Sequence, residues 1–421
     1  MKDSNFLIMW PDSGLSTKNN HVNAPYHFVH FGEIVNYLNN NLSNKVDVLD
    51  IEASQTEFPV FMKKIIDNNY QGVAIYLNSE NLYNGLKLID FIKIINPECK
   101  VIAYGEMPLY LPTFFKKTKF DAIVSQNADQ ESAILDYFKY IILHQDNLLH
   151  DVLLIKDEQL IHTPKGAILS PNEWGYTDKK EVPIDKYIDM EGKDQYVLTL
   201  SRGCPYGCKY CNATSYYGTC ERRRNIDDVI NIINNNPHEY YKFFAPNFTL
   251  NKIEAYKLCK AIIKNGKNIK WSCTTRPDLL NDEELIKIMA ESGCIKVAVG
   301  IESISKNDLE SIDKRYNCDL ISQGIDLLKK YGIDYKALVM FGVPNQTKEN
   351  ILYTIEFLRN LGLKIRPTAY TPFYEMNHNM TAEQISKYDK RTYYDGIEGL
   401  SYADFLRLIY DTDNYEKILR R

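Results

Sequence analysis

The sequence has no long apolar run, no strong excess of either charge sign and no export signal. No stretch approaches the roughly 20 apolar residues that a membrane-spanning helix needs. The N-terminus leads into only five apolar residues, which is too few for a secretory signal. The net charge is −5 at pH 7, so the chain carries no basic footprint for nucleic acid. These absences predict a cytoplasmic protein with neither a membrane nor a nucleic acid as its partner.

The cysteines are unevenly placed. Three of the nine cysteines lie within eight residues, in Cys204-Pro-Tyr-Gly-Cys208-Lys-Tyr-Cys211. Glycine and proline interrupt this stretch, so the thiols are expected on a loop that can wrap around one metal centre. Thiolates at such spacings suit iron–sulfur or zinc chemistry. A structural zinc site would need a second nearby Cys or His pair, and only the single Cys220 follows. The spacing therefore favours an iron–sulfur cluster, and the other six thiols are expected to be reduced.

This Cys-x3-Cys-x2-Cys spacing resembles the signature of the radical S-adenosylmethionine (SAM) superfamily, including the aromatic Tyr210 just before the last cysteine. The resemblance implies that Cys204, Cys208 and Cys211 hold a [4Fe–4S] cluster. One iron would remain open to the amino and carboxylate groups of SAM, with Tyr210 beside the cofactor. It also implies an external electron donor of the flavodoxin or ferredoxin type.

The first 145 residues alternate five apolar strands with helices, which predicts a doubly wound parallel sheet. The expected strands are residues 6–10, 46–51, 72–77, 101–104 and 121–124. Ligands bind such sheets beyond the carboxyl ends of the strands. No Gly-x-Gly-x-x-Gly fingerprint follows the first strand, so a dinucleotide site is disfavoured. The candidate ligand contacts at the strand ends are Asn78, Ser79, Gly105 and Ser125.

Placed ahead of the cysteine motif, this layout resembles the cobalamin-binding domain of the B12-dependent radical SAM family. The resemblance lies in the strand order and in residues 96–105 and 121–131. Tyr104-Gly105 stands where that family has paired glycines, and residues 125–131 replace its Gly-Glu-Gly-Glu. The Asp-x-His-x-x-Gly motif that supplies a histidine to cobalt elsewhere is absent. The resemblance implies bound cobalamin with water or a protein side chain below the cobalt; the alternative is a scaffold that has lost its cofactor.

From Tyr196 the pattern becomes strand, loop and helix, repeated about six times. This repetition predicts a partial (β/α)6 barrel whose active site lies at the carboxyl ends of the strands. The expected strands are residues 196–200, 241–244, 269–275, 295–301, 337–341 and 365–370. Asn281 and Glu284 stand in capping-box positions before the fourth strand, which predicts the start of a helix there.

Five further candidate site residues fall at the ends of these strands. The resemblance implies that Glu302, in Gly-Ile-Glu-Ser, binds polar groups of SAM and that Gly342 and Pro344 lie along the adenosine. A buried carboxylate in a barrel is otherwise costly, which favours function for Glu302; the alternative for the other two is a plain turn. In the family that the chain resembles, acidic residues at the second strand end meet the SAM amine. Here Asn247 follows Pro246 at that place, so the resemblance implies a carbonyl-based contact instead. Arg276 is placed either to bind a carboxylate bidentately or to form a surface ion pair.

The domain boundaries that follow are a cobalamin-binding-like domain over residues 1–145, a linker over 146–195, the radical SAM barrel over 196–375 and a short, mainly helical cap over 376–421. The linker lacks strong periodicity, although Glu173-Trp-Gly-Tyr176 is a candidate aromatic anchor. Trp174 is expected to be buried rather than to contact a ligand. Residues 376–421 contain no metal-ligand spacing and do not identify the substrate.

The resemblance implies a cobalamin-dependent enzyme in which a 5′-deoxyadenosyl radical activates an unactivated carbon of a natural product or peptide. Methylcobalamin would then donate a methyl group, and a second SAM would remethylate the cobalt. No acid–base or nucleophilic motif lies near the cluster, so no catalytic residue is assigned. One alternative is a rearrangement or oxidation without methyl transfer. A methylthiotransferase would need three cysteines in the first domain, where only Cys99 is present, and a basic RNA module. A non-enzymatic iron–sulfur sensor would leave the barrel and Glu302 without a purpose.

Overall fold

The structure is a computed structural model that describes residues 5–13, 26–125, 129–182 and 196–420, with the side chains of residues 26–30 excluded. The described residues form two compact units. The first contains the residues up to Val197 together with Tyr374–Lys387, and the second contains Leu198–Phe373 together with the residues from Tyr388 onward. No helix in these ranges is long and apolar enough to cross a membrane.

The first unit is built on a seven-stranded sheet. Its strands are β1 (Phe6–Trp10), β2 (Asp47–Asp50), β3 (Gly72–Tyr76), β4 (Lys100–Tyr104), β5 (Ala122–Val124), β6 (Val152–Lys156) and β7 (Gln159–His162). The order across the sheet is β2-β1-β3-β4-β5-β6-β7, and the first five strands are parallel. Every residue of β1, β3 and β5 is buried, which explains their continuous apolar runs. The predicted doubly wound sheet is confirmed. Its chain order reverses between β1 and β3, so ligands are expected beyond the ends of those strands.

Helices cover this sheet. They are α1 (Tyr26–Asn41), α2 (Ile51–Ser54), α3 (Phe58–Asn68), α4 (Leu82–Ile95), α5 (Glu106–Tyr110) and α6 (Gln130–Leu143). The second strand is shorter than predicted, because the Asp50 side chain accepts a hydrogen bond from Ala53 N at 2.9 Å and starts α2 at Ile51.

The strands β6 and β7 were not predicted, since they lie in the segment expected to be a linker. They form an antiparallel hairpin that extends the sheet from β5. The two turn residues, Asp157 and Glu158, have φ of 49° and 57°. Positive φ at both positions is what a two-residue hairpin turn needs, but this pair is not the Asn-Gly or Asp-Gly sequence that signals such a turn.

The candidate aromatic anchor packs against α1 within the first unit. Trp174 is buried, as expected. A Cβ on Gly175 would lie 2.0 Å from the Glu33 carbonyl oxygen, so only glycine allows this close approach. Tyr176 N donates to Asn36 Oδ1 at 3.2 Å, which fixes the segment to the helix.

The second unit contains a six-stranded sheet and a small two-stranded ribbon. The strands are β8 (Tyr196–Thr199), β9 (Ser201–Arg202), β10 (Arg222–Arg223), β11 (Tyr240–Phe244), β12 (Lys270–Thr275), β13 (Cys294–Glu302), β14 (Asp334–Phe341) and β15 (Lys364–Ala369). The large sheet has the order β8-β11-β12-β13-β14-β15, and β9 pairs with β10. The pairs from β11 to β15 are parallel. Each strand therefore lies beside the next in sequence, as the predicted partial barrel requires.

Helices separate these strands and follow the last of them. They are α7 (Asn212–Tyr217), α8 (Ile226–Asn235), α9 (Lys252–Asn265), α10 (Glu283–Glu291), α11 (Lys306–Ser311), α12 (Asp319–Lys330), α13 (Lys348–Asn360), α14 (Ala382–Ile385), α15 (Tyr402–Tyr410) and α16 (Tyr415–Leu419). Of these, α14 belongs to the first unit. The predicted cap of α10 was wrong by one residue. Asp282 accepts from Leu285 N at 3.1 Å, while Asn281 accepts from Lys252 Nζ at 2.9 Å. Both side chains can cap a helix, and a tertiary partner decides between them.

Candidate functional site

The cysteine loop begins directly after β9 and is held by backbone contacts. Gly203 has φ +90°, and a Cβ there would lie 2.0 Å from the Cys220 carbonyl oxygen, so glycine is required. Cys204 N donates to Gly218 O at 3.1 Å, and Cys211 N donates to Cys208 O at 3.0 Å. These backbone hydrogen bonds hold the loop in a curved conformation and keep its three cysteines in one short segment.

The three thiols are electrostatically coupled to one another and to nearby cations. Burial is the main effect, and it raises the pKa of Cys204, Cys208 and Cys211. Positive charges oppose this effect: Arg276 acts on Cys204, and Lys314 acts on the other two. Within the described ranges no three His, Cys, Asp or Glu side chains gather around one metal-ion position. The three thiols thus share one local electrostatic environment.

Asn247 lies at the end of β11 and contacts the cluster loop. Its Nδ2 lies 3.4 Å from Cys204 Sγ, and the side chain is buried. A side-chain amide that donates to a cysteine sulfur stabilises the thiolate form, which a metal cluster requires. The predicted carbonyl contact of this segment with SAM remains a prediction.

Glu302 ends β13 and is joined to the cysteine loop by Tyr210. The Tyr210 hydroxyl donates to Glu302 Oε1 at 3.0 Å. Burial, followed by the charge of Glu302, raises the pKa of Tyr210 well above its usual value, so the phenol remains a donor. Lys314 Nζ completes the group, at 2.8 Å from Glu302 Oε1 and 3.1 Å from the Tyr210 hydroxyl. Tyr210 and Glu302, which were both predicted to contact the cofactor, are thus in contact with each other.

The backbone at Glu302 has an unusual conformation, which positions the carboxylate beside Tyr210 and Lys314. Its φ is +66°, an uncommon value for a residue other than glycine, and the pairing with β14 shifts register between Gly300 and Glu302. A Cβ on Gly300 would lie 3.2 Å from Lys314 Nζ and 3.3 Å from Glu302 Oε1. Gly300 therefore makes room for the ion pair. Strained backbone of this kind concentrates at functional sites.

Arg276 makes an ion pair, but a buried one. Its Nε and Nη2 donate to the two carboxylate oxygens of Asp278 at 3.0 and 3.2 Å, and Nη2 also donates to Arg315 O at 2.6 Å. The guanidinium lies 3.9 Å from the ring centroid of Tyr206 in the cysteine loop. Arg276 is therefore anchored beside the loop, and its contact with a SAM carboxylate remains a prediction.

Gly342 and Pro344 lie in the turn after β14. Gly342 has φ +84°, and its N donates to Gln346 Oε1 at 2.7 Å. Val343, between them, belongs to a buried apolar cluster against which Tyr210 packs. The turn is thus adjacent to the residue that contacts Glu302, which is compatible with the predicted adenosine contact.

In the first unit, the turn after β3 contains Asn78 and Ser79, and both are buried. Asn78 Oδ1 accepts from Asn81 N at 2.9 Å. Asn81 reaches back to Pro11 O after β1 at 3.4 Å. These bonds hold the two strand ends at the reversal point of the sheet in fixed positions.

The turn after β4 lies beside the turn after β3. Met107 N donates to Leu77 O at 3.0 Å. Gly105 has φ +109°, and a Cβ there would lie 2.6 Å from Leu77 O. Gln130, on α6, binds both backbone groups of Gly105: Gly105 N donates to its Oε1 at 2.9 Å, and its Nε2 donates to Gly105 O at 3.3 Å.

Ser125 follows β5, and its N donates to Asp151 O at 2.7 Å. Residues 126–128 of the same segment lie outside the described residues. Ser125 therefore stands at the predicted strand end, and its contact with cobalamin remains a prediction.

The same edge of the sheet contains a buried hydroxyl that needs a partner. Tyr104 Oη, at the end of β4, has no hydrogen-bond partner among the described residues, and Tyr104 is fully buried. An unsatisfied buried hydroxyl costs about 1–3 kcal/mol. A polar group of a ligand at the carboxyl ends of β3 and β4 would remove this cost, so this edge suits a ligand with polar groups.

Sequence reasoning missed Lys314 and the contacts that Asn81 and Gln130 make. The first could have been anticipated, because a buried carboxylate such as Glu302 requires a positively charged partner. No local pattern identifies which lysine supplies it. Gln130 lies in the segment that resembles the cobalamin-binding domain, but its contact with the backbone of Gly105, 25 residues earlier, has no local sequence signal.

Comparison with known proteins agrees with these features. Residues 198–358 match the family model of the radical SAM superfamily. The chain is 32% identical over 341 residues to the uncharacterized methyltransferase PH0819 of Pyrococcus horikoshii, covering 78% of this chain and 72% of that protein. It is 21% identical to the anaerobic magnesium-protoporphyrin IX monomethyl ester cyclase of Rubrivivax gelatinosus, over 73% of this chain and 59% of the cyclase.

A solved structure shares the fold of both units. The radical SAM methyltransferase TsrM from Kitasatospora setae, solved with cobalamin and a [4Fe–4S] cluster bound, matches with a TM-score of 0.71. The sequences are 15% identical, and the match covers 88% of this chain and 77% of TsrM. Together with the cysteine loop and the Tyr210–Glu302 contact, these similarities show that the chain belongs to the radical SAM superfamily and has the fold of a cobalamin-bound member.

Proposed function

We propose that the protein is a cobalamin-dependent radical SAM methyltransferase that acts on an unactivated carbon of a natural product or peptide. The observation that carries this proposal is the presence of two cofactor-type modules on one chain. One module has a three-thiol loop joined to Glu302 by Tyr210. The other has a doubly wound sheet with a buried Tyr104 hydroxyl that lacks a hydrogen-bond partner among the described residues, at the edge where ligands of such sheets bind.

The cluster would be held by Cys204, Cys208 and Cys211. Bound together, the cluster, SAM and cobalamin would supply radical formation and methyl transfer, the part of the chemistry that side chains cannot perform. In the barrel, side chains of the protein stabilise the charged groups of the cluster and of SAM. Lys314 and Arg276 place positive charge near the thiols, which stabilises their deprotonated form. Glu302, fixed by two donors, offers its remaining acceptor capacity to a cationic or hydroxyl group such as those of SAM.

Cobalamin would be held by the turns after β3, β4 and β5, through Asn78, Ser79, Gly105 and Ser125. The sequence lacks the motif that gives cobalt a histidine, so we propose water or another side chain below the metal. The external partner would be a flavodoxin-type or ferredoxin-type electron donor, with no nucleic acid or membrane involved.

A reaction without methyl transfer is the second candidate, and the similarity to an anaerobic cyclase supports it. A methylthiotransferase has less support. Residues 1–197 contain a single cysteine, Cys99, which is buried. This single thiol cannot supply the three ligands that a second cluster would need.

Anaerobic reconstitution with iron, sulfide and hydroxocobalamin tests the proposal. We expect about four irons per chain, as a cubane requires. We also expect a bound-cobalamin visible spectrum that survives gel filtration and a change in the reduced-cluster EPR signal when SAM is added. Full cluster loading without retained cobalamin would reject the cobalamin assignment, and an EPR signal that SAM leaves unchanged would reject the barrel assignment.

A further inference from the structure

The short helix α11 contains a buried carboxylate outside the group described above. Asp308 is 1% exposed. Ser303 Oγ and Gln346 Nε2 both donate to its Oδ2 at 2.8 Å, and Asn350 Nδ2 donates to its Oδ1 at 3.0 Å. A buried carboxylate that collects three side-chain donors joins the parts of the chain from which those donors come.

The first of these donors, Ser303, connects Asp308 to the strand end that contains Glu302. Ser303 follows Glu302 directly at the end of β13, and its hydroxyl also accepts from Ser305 N at 3.1 Å. Because Glu302 has φ +66°, its backbone conformation must be maintained by surrounding contacts. The bond from Ser303 to Asp308 holds the residue next to that strained position.

The second donor, Gln346, connects Asp308 to the turn after β14. The Gln346 side-chain amide is used at both ends: Nε2 donates to Asp308, and Oε1 accepts from Gly342 N at 2.7 Å. Asn350, in the first turn of α13, adds a further tie between α11 and this segment. Asp308 is therefore hydrogen-bonded, through one intermediate residue in each case, to the strand ends that carry Glu302 and Gly342.

We propose that Asp308 is a positioning residue that holds these two strand ends in the geometry that binds SAM. It contacts neither Glu302 nor Gly342 directly and acts through Ser303 and Gln346. Only a carboxylate offers acceptors to all three donors. An amide in its place would present an NH2 group to another donor and leave a buried donor unsatisfied.

This inference rests on the proposed binding of SAM by the barrel and is independent of cobalamin. The test compares wild type, Asp308→Asn and the control Asp326→Asn, which makes the same change at an exposed position of α12. SAM affinity is read from the change in the reduced-cluster EPR signal, and iron content is measured on the same samples. We expect Asp308→Asn to weaken SAM binding about tenfold with unchanged iron, and the control to match wild type. If wild type itself shows no SAM effect, the proposed function fails; if wild type and Asp308→Asn bind SAM equally, this inference fails.

The double variant Asp308→Asn with Gln346→Glu separates positioning from simple loss of stability. It exchanges the carboxylate and the amide, so the new carboxylate can accept both from Gly342 N and from the new amide. The new amide oxygen can still accept from Asn350, and its NH2 group can donate to Ser303 Oγ. We expect SAM affinity to return to within about threefold of wild type. A double variant that retains its iron but binds SAM as weakly as Asp308→Asn would overturn the proposal.

Discussion

Lys314 Nζ lies 2.8 Å from Glu302 Oε1, and only 5% and 9% of the two side chains are exposed. Both also contact the hydroxyl of Tyr210, which stands one residue before the last cysteine of the cluster loop. A cation and an anion are thus held together at the point where the cysteine loop meets the end of β13. A ligand with both an amino and a carboxylate group, as SAM has, can pair with such a site through both charges.

The ion pair should contribute to stability as well as to binding. Lys314→Met would leave Glu302 buried without its cation, a change that typically costs about 3–5 kcal/mol. We expect a clear fall in the thermal unfolding temperature of the apoprotein, measured anaerobically by circular dichroism. Lys306→Met is the control, because that side chain is 87% exposed and should change the temperature little. Equal effects of the two substitutions would show that the buried pair is not important to the fold.

The cluster assignment predicts a specific loss of iron. Cys208→Ala should lower the iron content well below the approximately four atoms per chain of a cubane and abolish the cluster absorption. Cys220→Ala is the matched control, because Cys220 is an exposed thiol just beyond the loop. Full iron occupancy in Cys208→Ala would contradict the assignment of the three ligands.

Gly105 is predicted to be essential for cobalamin binding at the carboxyl ends of β3 and β4. In Gly105→Ala the new Cβ would meet Leu77 O at 2.6 Å with φ at +109°, which forces the turn after β4 to move. We expect cobalamin affinity to fall at least about tenfold in equilibrium dialysis, with cluster iron unchanged. Gly396→Ala controls for positive φ alone, since φ is +94° there and nothing lies within 4 Å. Unaltered cobalamin binding in Gly105→Ala would remove this turn from the site.

Cys99 should be unreactive until the protein unfolds. Burial raises its pKa from 9.0 to about 12, so at pH 8 its thiolate population is about a thousandfold lower than that of an ordinary cysteine. Iodoacetamide at pH 8, followed by peptide mass spectrometry, should label Cys220 quickly and leave Cys99 unmodified in the native apoprotein. Labelling of both thiols at similar rates would contradict the buried position of Cys99.

The strands and helices could be predicted where the signal was local. The six barrel strands lie within three residues of their predicted ends, because continuous apolar runs and the glycines that stop them are visible in sequence. The hairpin of β6 and β7 was missed because Asp157 and Glu158 adopt positive φ without a typical turn sequence. Asp282 rather than Asn281 caps α10 because Lys252, on another helix, binds the asparagine.

The site residues also divide into those with a local sequence signal and those without one. The cysteines were visible from their spacing and Glu302 from its place at a strand end, while Tyr210 was indicated by the family resemblance. The contacts of Lys314, Gln130 and Asp308 were not visible, since each involves partners that only the folded chain brings near. Arg276 could be placed at a strand end, but its pairing with Asp278 depended on the local backbone path.

The central claim is that a methyl group passes from SAM through cobalamin, and one isotope experiment tests it most directly. The reduced, cobalamin-loaded protein is incubated anaerobically with methyl-deuterated SAM, and the products are analysed by mass spectrometry. The account predicts S-adenosylhomocysteine together with a deuterated methyl group recovered on cobalamin, even before a substrate is known. Formation of 5′-deoxyadenosine with no label on cobalamin and no S-adenosylhomocysteine would contradict methyl transfer and favour a rearrangement or oxidation.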